Sequence, residues 1–167
     1  MKRHFRLSSS IAAALLAFAC FAPGASAADA DATPASWRPA PLRLVGVWDV
    51  QVTLRDCVSG HAVASFPAMN QYSADGSELE FGVNTSPAAR YPSLGTWHFA
   101  GLRKYHSEFS FFRFAPDGSY AGTQHVERTL TLSHEADRFT SVAHVTIYDT
   151  QQHVLGTGCA TEEARRR

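Results

Sequence analysis

Two glutamates and a histidine in the second half of the chain are spaced so that neighbouring β-strands would bring them into one row. If the hairpin turns are symmetric, Glu108 lies opposite Glu127, and Glu127 lies opposite His144. His106 and His125 would lie one step along the same face. Carboxylates and imidazoles in this arrangement could bind a divalent metal or share a proton in acid–base chemistry.

The outer face of a β-barrel explains the same row without any chemistry, because one face of each strand meets water and carries such residues. The opposite faces of these strands hold apolar residues suited to a core, namely Phe109, Phe111, Val126, Val145 and Ile147. We therefore expect an exterior row and keep Glu108, Glu127 and His144 as weak catalytic candidates. The sequence has no phosphate-binding loop, nucleophile elbow, HExxH or paired-cysteine motif. We expect no metal and no cofactor, and binding rather than catalysis.

Aromatic residues concentrate in the middle of the chain. They are Trp97, Phe99, Tyr105, Phe109, Phe111, Phe112, Phe114 and Tyr120. In a wide barrel the inward ones would line a cavity for a flat or acyl-chain ligand. In a narrow barrel they would fill the interior, which is the slightly favoured alternative. The ligand-binding candidates are Trp97, Phe99, Tyr105, Phe109 and Phe111.

Two arginines share strand faces with these apolar residues. An inward Arg113 or Arg128 would be costly unless it met an acid or the anionic head group of a ligand. We expect both to lie near strand ends and reach solvent. They remain ligand-binding candidates for a fatty acid or another anionic molecule.

Short alternating segments broken by Gly, Pro and Asp occupy residues 44–162 and predict an all-β domain. Trp48, Val50 and Val52 alternate with polar residues on the first strand, and about eight strands follow one another with no helical segment between them. A meander of this number closes most economically into a single antiparallel up-and-down barrel, since closure removes unpaired edges. An open sandwich is the alternative.

The N-terminus has the order of a secretory signal peptide over residues 1–27. A basic start precedes an apolar run at 11–22, and small residues Ala25-Ser26-Ala27 precede the cleavage site. The run is too short to span a bilayer, so we expect no transmembrane anchor in the mature chain. Residues 28–43 predict a disordered leader and 163–167 a charged tail. The protein would be periplasmic or secreted.

Removal of the signal leaves 12 basic and 15 acidic residues, a net charge of −3. This balance gives no basic patch, so no nucleic-acid partner is expected. The mature chain keeps two cysteines, Cys57 and Cys159, far apart in sequence. In an oxidising compartment they predict one structural disulfide, with a free or metal-binding thiol pair as the alternative. The oligomeric state is left open.

Short motifs along the mature chain resemble a known group of proteins. Gly46-Val47-Trp48 resembles the G-x-W that opens lipocalins and their calycin relatives, in which an arginine near the end of the barrel packs across the tryptophan. Arg165 is the nearest candidate for that arginine. The chain more closely resembles small exported bacterial proteins described as lipocalin-like and of unassigned activity. The motifs that carry this resemblance are Gly46-Val47-Trp48-Asp49-Val50, Asp56-Cys57-Val58-Ser59-Gly60, Ser65-Phe66-Pro67-Ala68-Met69, Gly95-Thr96-Trp97, Phe111-Phe112-Arg113-Phe114 with Asp117-Gly118, and Gly156-Thr157-Gly158-Cys159-Ala160-Thr161.

The resemblance implies a barrel that hosts transport, binding or occasional isomerase or cyclase chemistry. The function we expect is an exported barrel that binds a small, largely apolar molecule in its interior. The alternatives are an enzyme of the isomerase or cyclase type on the same barrel, and a packed module that contacts another envelope protein through its loops.

Overall fold

A computed structural model describes residues 34–167 except positions 84 and 87. Eight antiparallel strands form one closed barrel in which each strand pairs with its neighbours in sequence and the last pairs with the first. The strands are β1 (Gly46–Arg55), β2 (Ala62–Tyr72), β3 (Ser77–Gly82), β4 (Ser93–Gly101), β5 (Lys104–Phe114), β6 (Tyr120–Leu132), β7 (Arg138–Tyr148) and β8 (Val154–Arg166). The predicted up-and-down, lipocalin-like barrel is confirmed, and the open sandwich is excluded.

Strand β1 shows why the sequence closes into a barrel. Trp48, Val50 and Val52 alternate with exposed polar residues, so one face of the strand enters the core and the other meets water. β1 pairs with β2 on one side and with β8 on the other, and closure leaves none of the eight described strands at an edge of the sheet.

The chain before β1 covers one end of the barrel, which we call the closed end. Residues 34–43 form two 3₁₀ turns, Ala35–Trp37 and Ala40–Leu42, and Leu44 behind them is fully buried. The hydroxyl of Tyr105 donates a hydrogen bond to the carbonyl of Ala40 at 2.5 Å. The expectation of a disordered leader is therefore wrong for residues 34–43, because this segment supplies apolar and carbonyl groups to the end of the core. The rest of the leader and the signal peptide lie outside the described residues.

Trp48 and Arg166 seal the closed end. The Trp48 indole donates to the carbonyl of Leu44 at 2.9 Å and packs edge-on against Phe139. The Arg166 guanidinium lies 4.1 Å from the centre of the Trp48 ring. A Cβ at Gly46, where φ is +143°, would overlap Arg166 Nη1, so this stacking requires the glycine.

Arg166 corrects two sequence predictions. The arginine that packs across the tryptophan is Arg166 rather than Arg165, because β8 extends through Arg166 instead of ending before a charged tail. The guanidinium also donates to the carbonyls of Val45 and Ala136, at 2.7 and 2.8 Å. Burial, with a smaller contribution from Arg38, lowers the pKa of Arg166 to about 10.

The opposite end, which we call the mouth, carries the loops 56–61, 83–92, 115–119 and 149–153. The predicted disulfide joins Cys57 to Cys159 there, with their Cα atoms 5.3 Å apart. Cys159 pairs in register with Arg55, the last residue of β1, so the bond fastens the β1–β2 turn to β8. Within the described part of the chain, no helix is long and apolar enough to cross a membrane.

Candidate functional site

The interior of the barrel is crossed by buried polar side chains, which we call the central ion cluster. Six of the eight strands contribute one residue each, namely Tyr72, Glu78, Ser107, Arg128, Ser141 and Glu162. All are at least 95% buried. Buried charges persist only when they are paired and hydrogen-bonded, so the contacts of this cluster decide whether it is stable.

Arg128 is the centre of the cluster. Its Nη1 donates to both carboxylate oxygens of Glu162, at 3.0 and 3.1 Å, and its Nη2 forms an ion pair with Glu78. Nη2 also donates to the Tyr72 hydroxyl at 2.8 Å. The Ser141 hydroxyl donates to Glu162 at 2.7 Å. Two carboxylates therefore share one guanidinium, and the hydroxyls satisfy remaining hydrogen-bonding positions.

The cluster shifts the ionisation of its own members. Burial alone would lower the pKa of Arg128, but Glu162 and Tyr72 hold it above its ordinary value. Burial raises the pKa of Tyr72 to about 12, against a smaller opposing effect of Arg128. Arg128 was expected near a strand end and in solvent; that expectation is wrong, since it is 3% exposed and lies in the middle of β6.

Strand β3 turns its glutamates, rather than its apolar residues, toward the interior of the barrel and so places two of the buried carboxylates. Glu78 and Glu80 point into the barrel, whereas Phe81, the residue after Glu80, is 46% exposed. The pairing of Tyr72 with Glu78 and of Asn70 with Glu80 puts these four side chains on one face. These two carboxylates form ion pairs with arginines of other elements, Glu78 with Arg128 and Glu80 with Arg90.

An apolar cavity of about 50 Å³ lies between the central ion cluster and the mouth. Glu162 belongs to both the cluster and the cavity wall, and Phe109 lies 4.7 Å from the Arg128 guanidinium. The other apolar walls are Val52, Leu54, Phe66, Phe111, Val126, Ala143, Val145 and Ala160. The space is large enough for a few water-sized groups and is walled mainly by carbon.

Arg90 enters the barrel from the β3–β4 loop and closes this cavity from above. Its Nη2 donates to Glu80 at 2.6 Å and to the Ser93 hydroxyl at 2.8 Å. Its guanidinium lies 3.7 Å from the centre of the Phe111 ring. Ser93 in turn donates to Glu80 at 2.5 Å. Arg90 therefore forms a second buried ion pair, above the central ion cluster.

A second cavity, of about 210 Å³, lies at the mouth and shares Arg90, Phe111 and Gln124 with the first. Arg113 lines it from the end of β5. Its Nη1 is buried, and among the described residues it is the one buried side-chain nitrogen or oxygen without a hydrogen-bond partner. A buried donor without an acceptor costs about 1–3 kcal/mol, so this atom is where an anionic group would be stabilised most.

The seven ligand-binding candidates from the sequence divide between the two ends. Trp97, Phe99 and Tyr105 lie at the closed end, where their rings pack on one another at centroid distances of 5.3 to 5.9 Å. Trp97 also donates to the carbonyl of Ser73 at 3.0 Å. The other four candidates, Phe109, Phe111, Arg113 and Arg128, lie along the path from the mouth to the central ion cluster.

The row of catalytic candidates lies on the outside wall, as expected. Glu108 pairs with Glu127 across β5 and β6, and Glu127 with His144 across β6 and β7. Both glutamates are exposed, and His125 is half-buried beside them. The groove along this wall has a volume of about 390 Å³.

Glu80, Arg90 and Ser93 were not singled out from the sequence. Arg90 belongs to a loop with two prolines, which suggests a cover over the barrel mouth but has no periodic pattern that would place a side chain inside. The available signal was the hairpin at Asp75-Gly76: an inward Tyr72 implies an inward Glu78 and, two residues on, an inward Glu80.

Comparison with known proteins gives no match: neither a protein-family model, nor a curated protein, nor a solved structure matches this chain.

Proposed function

We propose that this protein is an exported lipocalin-like carrier that binds a small, largely apolar molecule with an acidic group. The ligand would enter at the mouth, place its apolar part against Phe111 and Phe109, and present its acidic group to Arg113. The observation that carries this proposal is the buried Nη1 of Arg113 beside the mouth cavity, for which the described part of the chain supplies no acceptor. A carboxylate would supply the acceptor that this nitrogen lacks.

The shape of the interior supports a small ligand. Sites for drug-sized molecules have volumes of about 300–1,000 Å³, whereas the two cavities here have volumes of about 50 and 210 Å³. Arg90 and Phe111 belong to both walls. A displacement of the Arg90 side chain would join the cavities into one channel that ends at the central ion cluster.

The charges of the interior support an acidic ligand. Arg128 is occupied by Glu78 and Glu162, and Arg90 is paired with Glu80. Arg113 has no ion pair with a described acidic residue. An anion at the mouth therefore meets a guanidinium that no described carboxylate neutralises, and long-range attraction favours its approach.

The exported location is part of the same proposal. It rests on the signal-like residues 1–27 and on the Cys57–Cys159 disulfide, which persists in oxidising compartments. Membership in the lipocalin or calycin group rests on the G-x-W at Gly46, the barrel, and the arginine that packs on Trp48.

Binding of matched acids and esters tests this function. Native mass spectrometry and calorimetry with a series of saturated carboxylic acids and their methyl esters should give one bound acid per protein and weaker binding of each ester. Arg113→Met should weaken acid binding at least tenfold and leave ester binding unchanged. Arg103→Met, which removes an exposed arginine at the closed end, is the control and should bind like wild type.

Two results would overturn the proposal. Wild-type protein that binds neither acids nor esters would favour the packed interaction module instead. Equal acid binding by wild type and Arg113→Met would remove the role assigned to the mouth arginine.

A further inference from the structure

The outside wall of the barrel carries a second set of groups, independent of the interior. Glu108 and Glu127 lie directly opposite each other on β5 and β6. Like charges in this relation destabilise a sheet. His125 lies between them, with its Nε2 3.7 Å from a Glu127 oxygen and 4.0 Å from a Glu108 oxygen.

The orientation of His125 is fixed by a hydrogen bond on its other nitrogen. Nδ1 lies 2.9 Å from the hydroxyl of Ser110, the residue directly opposite on β5. When Nδ1 carries the proton and donates it to Ser110, the lone pair of Nε2 points to the two carboxylates. Metal-binding histidines are typically held in this way, with one nitrogen bonded to a polar group and the other free to coordinate.

We propose that Glu108, His125 and Glu127 bind one Zn²⁺ ion on the outer wall. One ligand atom from each residue lies within 4.8 Å of the others. Two ligands of a tetrahedral zinc ion, each at about 2.1 Å, are roughly 3.4 Å apart. The distances of 3.7 and 4.0 Å from Nε2 therefore need only small side-chain rotations to reach this geometry.

The chemistry of the donors favours zinc over the hard cations. An imidazole with two carboxylates suits zinc, whereas Mg²⁺ and Ca²⁺ prefer oxygen ligands alone. A zinc ion would also relieve the repulsion between Glu108 and Glu127. Strands β5 and β6 hold the three residues on a rigid paired ladder, so little ordering is required upon binding.

The groove beside the cluster leaves the fourth position open. Its walls include Glu108, Glu127 and His144, and two further histidines, His98 and His106, lie at its other side. A water molecule would complete the coordination, because three protein ligands and one exchangeable position characterise open zinc sites.

Calorimetric titration of untagged protein with Zn²⁺ tests this site. Wild type should bind one ion, and a large excess of Mg²⁺ should not compete. His125→Ala should reduce zinc affinity more than tenfold, and Ser110→Ala about tenfold because it releases the ring. The matched control is His134→Ala, which removes an exposed histidine that also lies beside a glutamate, at 3.8 Å, and should bind as wild type does.

Circular dichroism of each variant separates folding from binding, and the exposed positions should tolerate the changes. The proposal is overturned if wild type gives no zinc-binding heat or if His125→Ala binds zinc as tightly as wild type. A loss in His98→Ala equal to that in His125→Ala would also overturn it, because zinc would then lie across the groove. None of these results depends on the interior ligand.

Discussion

The closed end and the mouth treat their buried polar groups in opposite ways. At the closed end Trp48 and Trp97 donate to backbone carbonyls, and Arg166 donates to several. At the mouth, Arg113 keeps a buried nitrogen that has no partner among the described residues, beside a cavity. The buried donors named at the closed end are therefore hydrogen-bonded, whereas the one named at the mouth is not. An unmet donor costs stability, and a ligand that supplies an acceptor would recover it.

Loss of the disulfide should have the largest effect on stability and should act mainly at the mouth. Cys57 and Cys159 are 102 residues apart, and a loop of this length stabilises a fold by about 4–5 kcal/mol in the chain-entropy model. The double variant Cys57→Ser, Cys159→Ser should lose stability of this size in urea unfolding. Amide exchange should accelerate near Arg55 beyond this general loss, because the β1–β2 turn is no longer fastened to β8. An equal acceleration near Arg55 and near Trp48 would show that the disulfide does not hold the mouth in particular.

The two inward arginines should differ sharply when truncated. Arg128→Ala leaves Glu78 and Glu162 buried without their counter-charge and should cost about 3–5 kcal/mol in urea unfolding. Arg113→Ala removes a buried donor that has no partner among the described residues, and the recovered cost of about 1–3 kcal/mol offsets the loss of side-chain packing, so the protein should not be destabilised.

A third variant shows whether the Arg128 loss arises from unpaired charge. Arg128→Met combined with Glu78→Gln and Glu162→Gln should lose less than Arg128→Ala alone, because no charge of the central ion cluster is then left buried. Equal losses of stability for Arg128→Ala and Arg113→Ala would mean that the arginines of the central ion cluster and of the mouth are equally well paired.

Alkaline pH should weaken the central ion cluster through Tyr72. The pKa of Tyr72 is raised to about 12 in the folded protein from an ordinary value of 10. A raised folded-state pKa gives stability that is complete below pH 10 and is lost as the pH rises through about 12. The shift corresponds to about 3 kcal/mol.

The phenolate absorbance measures this shift directly. Wild type minus Tyr72→Phe should give one tyrosine that ionises near pH 12, and the variant should lose less stability between pH 10 and 12. A difference titration with its midpoint near 10 would show that the Tyr72 hydroxyl is not buried in the folded protein.

Much of the barrel could be predicted because exposed and buried residues alternate strictly on most strands. β3 could not, since the segment from Ser77 to Gly82 reads as outward glutamates and inward Leu79 and Phe81, and the protein uses the reverse. The interior acids are there to pair Arg90 and Arg128, which are distant in sequence. Binary patterning alone cannot detect such a pairing.

The register of the exterior row was predicted correctly although the turn before it differs from the symmetric one assumed. A symmetric turn would pair Phe114 with Ala121, whereas the structure pairs it with Tyr120. A bulge next to Gly122, whose φ is +107°, adds one residue to β6 and restores the pairing of Glu108 with Glu127. The candidate residues outside were therefore placed from sequence. Inside the barrel, Phe109, Phe111 and Arg113 were also candidates from the sequence, whereas Arg90 lies on a loop that carries no periodic pattern.

The central ion cluster blocks the interior of the barrel between the mouth and the closed end. Six strands meet there through charged and hydroxyl groups, so nothing can pass from the mouth to the closed end without separating Arg128 from Glu78 and Glu162. Any molecule held in the cavity between the central ion cluster and Arg90 must enter and leave through the mouth, past Arg90 and Glu80. Uptake and release would then share one barrier, and a change that slows the first would slow the second equally.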